Sequence, residues 1–136
     1  MKIFGIGTDI VNIERIKKSL KNKRFIKRIY DISEISKCNK QINKINCLAK
    51  RFAAKEAFSK AIGTGISKGI KFDEIIIQNV KSGKPNIKLI GETKKKVNKI
   101  LKKRKYNVYL SLSDDKPFAS ATVVLSIWKK KNLNKL

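Results

Sequence analysis

The sequence predicts an α+β domain in which helices grouped in the first half pack on a mainly antiparallel sheet. Three observations lead there. A short apolar run at 3–11 opens the chain as a strand. Helical patterns then follow one another from Asn12 to Ile62. From Phe72 onward, apolar alternation and turn-forming residues alternate with only one further helical stretch. At 136 residues the chain has room for one hydrophobic core. Residues 1–128 are read as a single domain and 129–136 as a basic, frayed tail.

The opening run I-F-G-I-G-T-D-I-V reads as a buried strand with glycines at 5 and 7, interrupted near its end by Asp9. Asn12 is placed to cap a helix whose inner stripe is Ile13, Ile16 and Leu20, with Arg15, Lys18 and Lys21 facing outward. A second helical piece runs from Phe25 to Tyr30 and carries Arg24 and Arg28. Asp31 or Ser33 caps a short helix containing Glu34, and the polar run 39–46 is a loop or a frayed helix start. A long helix follows from about Ile45 to Ile62 and stops at a series of glycines, Gly63, Gly65 and Gly69.

Strand-like segments at 72–80 and 87–91 flank S-G-K-P-N, whose Gly83 and Pro85 supply turn chemistry for a hairpin. From Glu92 to Lys105, Val97, Ile100 and Leu101 form a narrow apolar stripe in a Lys-rich helix. Val108, Leu110 and Leu112 alternate with polar neighbours in a half-buried strand. D-D-K-P then turns the chain into a last strand, Phe118 to Trp128, with Ala119, Ala121, Val123, Leu125 and Ile127 on its inner face.

Composition excludes some chemistry. There is no histidine, so imidazole catalysis and His-ligated metals are ruled out. The pattern G-x-x-x-x-G-K-[ST] is absent, so this is not a P-loop protein. Cys38 and Cys47 fit neither a zinc spacing nor a disulfide framework. Two buried or half-buried thiols are expected, in keeping with a reducing cytoplasm. No apolar stretch reaches the roughly 20 residues of a membrane span, and the N-terminal run is too short for a secretory signal. The formal charge of +24 points to a polyanionic partner. The excess is nearly all Lys in a chain also heavy in Ile and Asn, which a coding bias produces without any partner.

The stretch 51–66, R-F-A-A-K-E-A-F-S-K-A-I-G-T-G-I, carries charge where a plain amphipathic helix would not. At about 100° per residue, Ala49, Phe52, Ala53, Glu56 and Lys60 share one side. One reading is a Glu56–Lys60 pair at i, i+4, worth a few tenths of a kcal/mol on an exposed helix. The other joins Glu56 to Asp9: if strand and helix pack together, two carboxylates converge. That donor set suits Mg²⁺, which takes one or two carboxylates plus substrate phosphates and waters. Lys60, with Arg51 and Lys55 nearby, then suits the phosphates, and the chemistry is metal-assisted phosphoryl transfer.

Three segments carry a family resemblance: G-I-G-T-D-I-V, then R-F-A-A-K-E-A-F-S-K-A-I-G-T-G-I, then Y-L-S-L-S-D-D-K-P-F-A-S-A-T-V-V. Together, and over residues 2 to 128, they resemble bacterial holo-acyl-carrier-protein synthases of the 4′-phosphopantetheinyl transferase superfamily. The resemblance implies that superfamily's fold and transfer of the phosphopantetheine arm of coenzyme A to a serine of acyl carrier protein. Adenosine 3′,5′-bisphosphate is released, and the reaction serves fatty acid biosynthesis. By the same resemblance, Asp9 and Glu56 are Mg²⁺ ligands on the coenzyme A pyrophosphate, and Lys60 contacts those phosphates and assists the leaving group. Arg51, Gly63, Gly65, the G-K-P turn at Gly83, Lys84 and Pro85, and Ser113 of the third motif frame the nucleotide. Arg15, with Lys18, Arg24 and Arg28, faces the acidic carrier protein. A homotrimer with sites at subunit interfaces is implied as well.

Many relatives have a histidine where this chain has Asp114, and others have Asp. The serine proton then goes to a bound water or to Asp9 or Glu56. The competing function class is a small basic nucleic-acid-binding domain. It requires basic residues gathered on one face with aromatics for stacking, whereas here lysines occur in every segment and the aromatics fall at core-like positions. It also leaves Asp9 and Glu56 without a purpose, so no specific nucleic-acid partner is expected.

Overall fold

The computed structural model of the chain describes residues 1–64 and 69–129. Its elements run β1 (Lys2–Asn12), α1 (Ile13–Ser19), α2 (Lys23–Ile29), α3 (Ile32–Asn39) and α4 (Lys44–Ile62). A 3-10 turn (Phe72–Glu74) follows, then β2 (Ile75–Asn79), β3 (Pro85–Leu89), α5 (Gly91–Ile100), β4 (Tyr106–Asp115) and β5 (Phe118–Ile127). Strands β1, β5 and β4 form an antiparallel sheet in the order β1-β5-β4, and β2 and β3 form a separate antiparallel hairpin. The α+β class and the antiparallel sheet expected from the sequence are both present.

Helix α4 packs on all three strands of the main sheet and touches α1, α3 and β2. It is alanine-rich and buried on nearly every side, which explains its weak amphipathic pattern. Its seat on β1 depends on two glycines. A Cβ added at Gly5 would overlap the Ala61 carbonyl oxygen, and one at Gly7 the Ala57 carbonyl oxygen. Only glycine lets strand and helix backbones approach this closely. Because side chains alternate along a strand, Asp9 lies on the same helix-facing side as Gly5 and Gly7.

Local signals behave as the residues dictate. Asn12 caps α1, its side chain accepting from Arg15 N at 3.2 Å. Asp31 and Glu34 form a reciprocal capping box at the start of α3. Gly63 ends α4 in the left-handed region at φ 86°. Some boundaries differ from expectation. The loop before α4 is only four residues long, 40–43. Phe72–Glu74 coils before β2, and the Lys-rich helix ends at Ile100, where Lys102 and Lys103 take positive φ values of 54° and 58°.

The cysteines require a correction: Cys38 and Cys47 are joined as a disulfide, with Cα atoms 5.5 Å apart. The four-residue loop folds the last turn of α3 back beside the first turn of α4. A sequence separation of nine therefore becomes a bridging distance. The bridge removes the cysteines as an argument for a reducing compartment.

Candidate active site

The junction of β1 and α4 brings Asp9, Glu56 and Lys60 together. Lys60 Nζ donates to Asp9 Oδ1 at 3.1 Å and to the Thr8 carbonyl at 2.9 Å. The i, i+4 pairing of Glu56 with Lys60 is thus replaced by a long-range one. The Glu56 carboxyl makes no hydrogen bond or short ion pair among the described residues. Its carboxyl is held above the usual glutamate range, first by partial burial and then by the neighbouring Asp9, with Lys60 opposing. Asp9 and Glu56 line one cavity of about 360 Å³ with Arg15 of α1 and Phe52.

Two carboxylates side by side, one lacking a cationic partner at contact distance, form a donor set that a hard dication fits. Among the described residues no cluster of three or more His, Cys, Asp or Glu exists, so any metal held here relies on these two carboxylates. The remaining coordination positions are open to phosphate oxygens and water.

Other residues singled out in the sequence lie elsewhere. Arg51 is buried, with Nη1 3.0 Å from Cys47 Sγ and Nε 4.0 Å from Glu34. It lines a second cavity, about 450 Å³, with Lys50, Asn46, Asn79 and Asp114. This cavity shares no lining residue with the one at Asp9 and Glu56. Asp114 accepts from Asn46 at 2.9 Å and pairs with Lys50 at 3.3 Å, contacts that hold its carboxyl below the usual range. The Gly83, Lys84 and Pro85 turn reaches this side through Asn79, whose side-chain amide donates to the Gly83 carbonyl at 2.7 Å. Ser113 is exposed on β4 beside Asp114. Lys18 and Arg24 are exposed on α1 and α2, and Arg28 borders a third cavity with Lys71 and Asp73. Gly63 is the exposed end of α4, and Gly65 lies outside the described residues.

Lys55 is a second correction. It is fully buried, donating to Glu34 Oε1 at 2.5 Å and to the Phe72 carbonyl at 2.8 Å, so it does not serve the phosphates. Glu34 accepts in addition from the backbone of Asp31 and Ile77. The sequence placed Glu34 only within a short helix capped by Asp31 or Ser33. The unused signal was Lys55 itself, a lysine one position from Glu56 in a helix with no polar side to receive it.

Residues 5–121 match the family model described as the 4′-phosphopantetheinyl transferase superfamily. The chain is 50% identical over 125 residues to a holo-[acyl-carrier-protein] synthase of Pelagibacter ubique, covering 92% of this chain and 98% of that one. Its fold superposes on the Neisseria meningitidis holo-[acyl-carrier-protein] synthase with a TM-score of 0.80 at 39% identity, over 91% of this chain and 98% of that one. For the Helicobacter pylori enzyme in complex with coenzyme A, the TM-score is 0.75 at 36% identity, over 89% and 99% of the two chains. The chain belongs to the 4′-phosphopantetheinyl transferase superfamily, within its holo-[acyl-carrier-protein] synthase family.

Proposed function

We propose that this chain transfers 4′-phosphopantetheine from coenzyme A to a serine of apo acyl carrier protein, with Mg²⁺ as cofactor, in cytoplasmic fatty acid biosynthesis. The observation that carries this reading is the convergence of Asp9, Glu56 and Lys60 at the β1–α4 junction, where both carboxylates line a cavity shared with Arg15. In the reaction, the serine Oγ forms a bond to the phosphorus bearing the pantetheine arm. The bond from that phosphorus to the bridging oxygen breaks, and adenosine 3′,5′-bisphosphate departs. Asp9 and Glu56 would hold Mg²⁺, which would supply neutralisation of the phosphate charge. Lys60, anchored on the Thr8 carbonyl, presents its remaining proton to the leaving phosphate. The serine Oγ gives up its proton to a bound water or to the carboxylate of Asp9 or Glu56.

The exposed cations of the first two helices, Arg15, Lys18, Arg24 and Arg28, give the acidic carrier protein a complementary face. A homotrimer is part of the same proposal. The sheet face turned away from α4 exposes Ile6, Ile10, Tyr109 and Phe118, and Ile6 and Tyr109 flank Val124 in one cross-strand row. A homotrimer with sites at subunit interfaces would let the Arg51 and Asp114 cavity of one subunit complement the carboxylates of another. This offers a reason why one chain carries the two groups in separate cavities.

The test is incubation with apo acyl carrier protein, coenzyme A and Mg²⁺, followed by mass spectrometry of the carrier protein. A phosphopantetheine adduct that forms with the native chain, and is lost with Asp9→Ala and with Glu56→Ala, is the expected result. Absence of the adduct with folded native protein would overturn the assignment.

A further inference from the structure

Away from the site above, one end of the main sheet gathers cations around apolar side chains. Lys2, at the start of β1, pairs with Ile127 at the end of β5, which in turn pairs with Tyr106 at the start of β4. The turn after α5 folds against this end. Lys2, Lys102 and Arg104 line a cavity of about 310 Å³ whose remaining walls are Ile3, Phe4, Ile100, Leu101 and Ile127. No carboxylate lines it. Among the described residues Arg104 Nε is buried without a hydrogen-bond partner, and none of these cations is in an ion pair. Beside the cavity Trp128 is 43% exposed and Ile3 58%, and Lys105 Nζ sits 5.6 Å above the indole ring. Lys102 and Lys103 hold a left-handed backbone that glycine would adopt without strain.

We propose that this end of the sheet docks on an anionic phospholipid membrane. The cavity cations take a lipid phosphate, while Trp128, Ile3 and Phe4 enter the headgroup region. Exposed aliphatic and indole side chains set among lysines are the pattern of interfacial binding. Nucleic acid fits less well: the apolar walls are aliphatic apart from Phe4, and one face of the neighbouring Trp128 ring is covered by Lys105. A second copy of the chain placed symmetrically here would set like charges against each other. Lys2 and Asp9 are seven positions apart along β1, about 23 Å at strand rise. The surface is therefore distinct from the proposed catalytic junction.

Trp128 is the only tryptophan, so its emission reports contact directly. The full chain is mixed with phosphatidylglycerol–phosphatidylcholine vesicles or with phosphatidylcholine alone, and both flotation and emission are read. Flotation with the anionic vesicles, a blue shift of Trp128 and loss of both as salt rises are expected. Replacing Lys102 and Lys103 together by glycine lowers partitioning by about fivefold per lysine, roughly 25-fold in all. The same change raises thermal stability by relieving the turn, an opposition that a merely structural role would not produce. Lys81→Gln with Lys88→Gln removes the same charge from the β2–β3 hairpin and leaves partitioning within about twofold, compared at equal net charge.

Four results would overturn the proposal: no partitioning, an equal loss in the hairpin variant, partitioning without any change in Trp128 emission, or a response to inorganic phosphate or single-stranded RNA while vesicles remain inert.

Discussion

Consecutive residues of α4 meet opposite fates. Lys55 is fully buried and fully paired, its ammonium fixed between Glu34 and the Phe72 carbonyl. Glu56, about 100° further round the helix, is half-exposed beside a second carboxylate and has no cation at contact distance. The inner cluster satisfies its charges and joins α3, α4 and β2. The outer one leaves charge unsatisfied where a ligand can reach it. A charged residue in an apolar helix therefore says little by itself. What separates structure from function is whether the fold completes its coordination.

The comparison can be broken most severely from the inside. Lys55→Ala strands Glu34 in the core and is expected to cost about 3–5 kcal/mol in denaturant unfolding. Replacing both partners by apolar residues, Glu34→Leu with Lys55→Met, is expected to restore most of that loss. If the single and double variants were equally unstable, the pair would not be the source.

A smaller effect follows at the boundary between the clusters. Gly7→Ala drives a methyl group into the Ala57 carbonyl and lifts β1 from α4, for about 1–3 kcal/mol. Because Asp9 rides on the same strand, carrier-protein modification falls as well, even at temperatures where the variant is folded. Full activity in a destabilised Gly7→Ala would show that Asp9 does not depend on this seat.

The smallest effect sharpens the outer cluster. Folding raises the Glu56 carboxyl above the ordinary glutamate value of 4.5. The folded state therefore holds that proton more tightly than the unfolded one. Its contribution to stability is fully present below pH 4.5 and is lost as pH rises through the raised folded value. Glu56→Gln should then unfold at slightly higher temperature than native protein at neutral pH without metal. The gain is below about 0.5 kcal/mol after solvent screening, and it vanishes in acid. A loss of stability at neutral pH would mean that the carboxylate is paired after all.

Much of the fold was legible because its signals are local. Asn12, Asp31, Gly63 and the G-K-P turn each act within a few residues, and the alternation in β5 needs only its own pleat. The α5 boundary was misjudged because its Lys-rich pattern continues through a turn that ends the helix. At the site, Asp9, Glu56 and Lys60 were readable as charges in an apolar setting, but Glu34 was not. It read as one residue of a short helix, and its contacts to Lys55 and Ile77 lie 21 and 43 residues away.

By itself the sequence determined the element types, the glycines at 5 and 7 and the absence of histidine, since periodicity, backbone freedom and side-chain chemistry are properties of residues. Only the tertiary structure decided the partners: Lys60 with Asp9, Lys55 with Glu34, and Cys38 with Cys47. Ion pairs and bridges answer to distance in space. Here that distance is set by how closely a glycine-bearing strand and a short loop let their neighbours approach α4.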